Sequence, residues 1–118
     1  MSAVLLVFTA AMHSVLGERL LLKPLLARRE SVLKSDFARM ILRFAWHITS
    51  FSWLVLAAIM IAFALKPHEA FQWSLLAVGS TFTLIGIFDA LASRGRHVGW
   101  PFLTAIGLCA LGALVSNQ

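Results

Sequence analysis

The sequence predicts an all-α integral membrane protein: a bundle of four transmembrane helices with antiparallel neighbours and both termini on the non-cytoplasmic side. Three observations predict it. The chain is 60% hydrophobic and 13% charged, with a mean hydropathy of +0.88, against about 25% charged residues in soluble domains. Its apolar residues form four segments, about 2–22, 37–65, 72–93 and 98–116, each near the ~20 residues a helix needs to cross hydrocarbon. Nine of its ten basic residues fall in or beside two of the connections between segments, and Lys66 alone sits in the other. The polar stretches are too short to fold separately, so 1–118 reads as one domain. Strands are excluded because an open sheet leaves backbone groups unsatisfied in lipid, and the strict alternation of a membrane barrel is missing.

The first segment opens with "MSAVLLVFTAAM", which has no side-chain charge ahead of its apolar run. It therefore reads as a retained span and not as a cleaved signal peptide, which would begin with basic residues. The connection "KPLLARRESVLKSD" carries most of the charge, and Pro24 is expected to kink or end the first helix. Ser35 is the expected N-cap of the second helix, with Asp36 beside the positive end of its dipole. "KPHEA" forms a tight second connection. In the third, "RGRHVGWP", Gly95 and Gly99 break the helix, and Pro101 suits the first turn of the next. Trp73 and Trp100 stand where aromatic anchors meet the bilayer surface.

Small residues recur at Ala105, Cys109 and Ala113, and Gly79 and Gly86 punctuate the third helix. These suit close helix contact, within the chain or between subunits. Cys109 has no partner in the chain and reads as a small apolar residue.

Charge position fixes the expected orientation. The first and third connections lie on one side and hold the basic excess, so that side is cytoplasmic, in a membrane of bacterial inner-membrane type. A net charge of +5 and a pI near 10.8 would suggest nucleic acid in a soluble protein. Here the charges mark topology, and no nucleic-acid partner is expected. The expected partners are the lipid bilayer, anionic headgroups at the "ARRESVLK" loop and at His97, and a second copy or a larger membrane complex.

The chemistry-bearing residues are His13, Glu18, His47 and Asp89, all inside apolar segments. Counting ~1.5 Å per residue from the outer boundary puts Glu18, His47 and Asp89 at roughly 25 to 27 Å, and His13 at about 18 Å. The first three thus lie near the inner edge of a core about 30 Å thick. Arg39, Arg43 and His47 share a face at i, i+4 spacing, as do Gly86, Asp89 and Ser93 within the third helix. The simplest reading is an ion-pair network in which Glu18 and Asp89 meet Arg19, Arg43 or Arg94, most directly Arg43.

A ligand site is the sharper reading. Two imidazoles and two carboxylates suit a divalent metal, His13 and His47 could ligate a b-type haem, and the four together could relay protons. The His13–His47 depth offset of about 9 Å is awkward for haem, and no metal motif is present. The leading expectation is therefore no cofactor, and a non-enzymatic structural or accessory subunit. The alternative is a ligand-binding or transport protein with an intramembrane histidine–carboxylate site.

Overall fold

The computed structural model describes residues 2–116. The first span, Ser2–Ala27, is continuous but not uniform. It consists of α1 (Ser2–Leu16), a π-helical stretch (Gly17–Leu22) and α2 (Lys23–Ala27). A single 3-10 turn, Ser31–Lys34, leads into α3 (Asp36–Leu65), followed by α4 (Ala70–Ser93) and α5 (Gly99–Ser116). Among the described residues there is no strand, and four helical spans are long and apolar enough to cross a membrane.

The first span runs past the expected stop near residue 22, and the reason is local. Pro24 has no N–H to offer, so the continuous helix forgoes one backbone bond to the turn before it. The preceding turn is widened, with the Lys23 N–H bonding to the Glu18 carbonyl five residues back. A π-helical turn of this kind lets the helix pass a proline without breaking. Ser35 caps α3 by accepting from the Ala38 N–H at 3.4 Å, and Asp36 pairs with Arg39 one turn on. At the far end of α4, Arg94 and Gly95 both turn left-handed, and the Gly95 N–H closes on the Ala90 carbonyl at 2.8 Å. This is the usual way of satisfying orphan carbonyls at a helix C-terminus.

Each span packs chiefly on its neighbours in the chain, giving a flattened bundle of 52 × 33 × 15 Å. The pairs Ser14–His47 and Glu18–Arg43 rise along one helix as they fall along the other, so α1 and α3 are antiparallel. Gly79 against Gly107 and Gly86 against Thr104 show the same for α4 and α5. Arg96 lies over the Phe37 ring, 4.8 Å from its centroid, which brings the third connection to the end of the molecule that holds the first. The chain's basic residues other than Lys66 therefore gather towards one end, called the basic end below.

Little of the chain is fully enclosed. Leu22 and Asp89 are the only large side chains with less than 2% of their surface open among the described residues. Large apolar side chains such as Phe8, Leu84 and Phe102 face outward, as lipid-facing residues do. Contact between α4 and α5 is closest at Gly107, where an added Cβ would collide with the Thr83 backbone and come within 2.8 Å of the Gly79 carbonyl oxygen. Small residues permit such backbone approach, a main source of helix association in lipid.

Candidate functional site

The ionisable groups of the first span meet those of α3 in a continuous hydrogen-bonded chain. The Ser14 hydroxyl lies 2.8 Å from His47 Nδ1, and His47 Nε2 lies 3.4 Å from Glu18 Oε2. Arg43 closes the chain on Glu18 Oε1 at 3.0 Å. A carboxylate can only accept, so Nε2 of His47 donates to Glu18, and in the neutral ring Nδ1 accepts from Ser14. The π-helical stretch begins beside Glu18, so the carboxylate is carried on the distorted part of the helix. Gly17 makes the approach to α3 feasible, because a Cβ there would lie 2.5 Å from the Trp46 indole.

His13 is held separately. Its ring stacks on Trp46 with centroids 4.3 Å apart and planes 6° from parallel, and Trp53 meets it edge-on. Thr49 donates its only hydroxyl proton to the Trp46 carbonyl, so His13 Nε2 is the donor in the 2.9 Å contact with Thr49 Oγ1. Trp46 in turn donates Nε1–H to the His13 carbonyl. Sequence reasoning missed this aromatic clasp. The signal was in "WHITSFSW", where Trp46, Thr49 and Trp53 share a helical face.

Asp89 is the deepest ionisable side chain, at 1% exposure. Its partner is not an arginine but His97, whose Nδ1–H donates to Oδ2 at 2.6 Å. The left-handed turn at Arg94 and Gly95 folds the third connection back so that His97 reaches α4. Spacing along a helix carries no information across a reversal of the chain, so the sequence does not reveal that His97 meets Asp89. The expected ion-pair network contracts. Among the described residues Arg43 holds Glu18, whereas Arg19 and Arg94 are exposed and make no ion pair.

No three of the described His, Cys, Asp and Glu side chains are grouped to hold a metal ion. His13 and His47 have separate hydrogen-bond partners, and His47 has both ring nitrogens engaged. That arrangement does not fit a pair of haem axial ligands, each of which needs a free ring nitrogen.

Beside this network is a cavity of about 1010 Å³ lined by α2, α3 and α4 and reaching the basic end. Arg43, His47 and Asp89 line it together with the aromatic rings Phe44, Phe51 and Phe88. Its size stands at the upper end for small-molecule sites. A smaller cavity of about 510 Å³ lies between α3 and α4 at the other end, beside Lys66 and Trp73. There Glu69 accepts from Trp73 Nε1 at 3.0 Å and from Lys66 at 3.2 Å. The Trp73 hydrogen bond, then the Lys66 ammonium, hold its carboxyl below the ordinary carboxylate range. No family model, no curated protein and no solved structure matches this chain.

Proposed function

We propose that this chain is a small integral protein of a bacterial-type inner membrane that works without catalysis, as a structural or accessory subunit. It associates in the bilayer with itself or with a larger complex, with the first and third connections cytoplasmic. The observation that carries this reading is the two-sided use of small residues on α5. Gly107 is buried against α4, whereas Ala105, Cys109 and Gly112 are exposed, and a Cβ added at Gly112 would meet nothing within 4 Å. Small residues on a lipid-facing surface favour contact with a further helix over contact with lipid. The closed Glu18–Arg43 and Asp89–His97 pairs support it too, because they join elements of the fold.

Mild oxidation of native membranes tests the reading through Cys109 itself. A disulfide-linked dimer supports self-association, and comigration with a larger assembly after gentle extraction supports a complex. Gly112→Leu should weaken either. A chain that stays monomeric in both experiments overturns the reading.

The ligand-binding alternative has one observation in its favour: Arg43, His47 and Asp89 line a common cavity. Absorption spectra and metal analysis of protein from its native membrane test the cofactor form. A haem band or stoichiometric metal that disappears in His13→Ala, His47→Ala protein would support it, and a cofactor content unchanged by those substitutions would sink it.

A further inference from the structure

The larger cavity has two chemically distinct halves. Towards the bundle centre its walls are apolar, with Phe44, Ile48 and Phe51 from α3 facing Leu84, Ile85 and Phe88 from α4. Phe44 and Phe88 stack at 6.3 Å, and Leu84 and Phe88 are more than 60% exposed, so this half opens sideways. In a bilayer that opening faces acyl chains.

At the basic end the lining changes to Lys23, Arg29, Arg39 and Arg43. Two of these cations already have counterions. Arg43 holds Glu18, and Arg39 holds Asp36 while donating to the Leu33 carbonyl at 2.7 Å. Asp89, the other acid in the lining, is held by His97. Lys23 and Arg29 make no ion pair among the described residues, and both are exposed. This end of the lining therefore keeps two positive charges without an ion-pair partner, in the same cavity as an apolar trough.

We propose that this groove is a binding site for an anionic phospholipid of the leaflet that meets the basic end. Its phosphate sits between Lys23 and Arg29, and one acyl chain lies along Phe44, Ile48, Leu84 and Phe88. Charge complementarity selects the occupant. A neutral amphiphile would leave the two cations unpaired at the hydrocarbon edge, and a soluble phosphate would leave the trough unfilled. This inference is independent of association through α5, since the groove is lined by α2, the turn after it, α3 and α4, with no residue of α5 in the lining.

Delipidated protein titrated with phosphatidylglycerol or phosphatidylcholine, with bound lipid counted by native mass spectrometry, tests the proposal. Phosphatidylglycerol should be retained in preference. Lys23→Gln with Arg29→Gln should weaken its retention roughly twenty-five-fold, at about five-fold per basic charge near a bilayer surface. Arg28→Gln with Lys34→Gln removes the same charge from the same end of the molecule but from residues outside the groove lining. That control pair should change retention by less than about three-fold.

Glycerol 3-phosphate, which has the headgroup chemistry without the tail, should not displace the lipid at millimolar concentration. Equal losses in the two charge pairs would reduce the effect to general surface attraction and overturn the proposal. So would equal retention of phosphatidylcholine, or displacement by glycerol 3-phosphate.

Discussion

The contact between the first span and α3 and the contact between α4 and α5 solve one problem by opposite means. Helices in lipid gain little from the hydrophobic effect and must associate through packing or hydrogen bonds. The first pair uses side chains: Glu18 to Arg43 and His47, Ser14 to His47, and His13 clasped by Trp46, Trp53 and Thr49. The second uses the absence of side chains, with Gly107 bringing the two backbones together at Gly79 and Thr83. Away from Gly17, whose missing Cβ makes room for Trp46, the first contact should tolerate changes of volume and fail on loss of a partner. The other should do the reverse.

The largest effect is expected where nothing can move aside. Gly107→Val should cost about 3 kcal/mol by overpacking, read as thermal unfolding in detergent. Gly112→Ala, where an added Cβ meets nothing within 4 Å in this chain, should cost the fold far less. Near-equal melting of the two variants would refute the close-approach account of α4 and α5.

Next comes the buried carboxylate. His97→Ala leaves Asp89, 1% exposed, without its partner, and should cost about 2–3 kcal/mol. Adding Asp89→Asn should recover part of that loss, because the charge that needs a partner is removed with it. If the double variant is as unstable as the sum of the two single ones, the pair is incidental.

A smaller loss is expected at Arg43, whose side chain is 49% exposed. Arg43→Ala should cost about 1 kcal/mol, because solvent screens a half-exposed charge and His47 still reaches Glu18. A double-mutant cycle with Glu18→Ala should give a coupling of about 0.5–1 kcal/mol. By contrast Leu→Met changes in the same interface should be nearly silent, which separates it from the volume-sensitive contact at Gly107.

The smallest effect belongs to the Lys66–Glu69–Trp73 turn. The folded-state pKa of Glu69 is below its ordinary 4.5, so the turn's contribution is present above that value and lost as pH falls through the depressed one. Replacing Glu69 with Gln should flatten this acid-side dependence of the melting temperature and leave neutral-pH behaviour almost unchanged. An unaltered acid profile in that variant would show that the turn contributes no titrating stability.

Composition and periodicity were enough for the number of spans, the all-helical class and most boundaries, because each span must satisfy its own backbone in lipid. The Ser35 cap and the place of Pro101 at the start of α5 were legible for the same local reason. Counting rise per residue also put Glu18 and His47 at one level, since depth along a straight helix is nearly one-dimensional.

What lay beyond the sequence was azimuth and the path of the turns. Only the folded chain decides that the helix passes Pro24 through a π-helical stretch beside Glu18. It alone sends His97 back to Asp89, clasps His13 between Trp46, Trp53 and Thr49, and leaves Lys23 and Arg29 without an ion-pair partner in the lining of an apolar groove. Length and hydropathy are properties of each segment alone, whereas partners depend on how segments rotate against one another, and that is settled by side-chain contacts far apart in the chain.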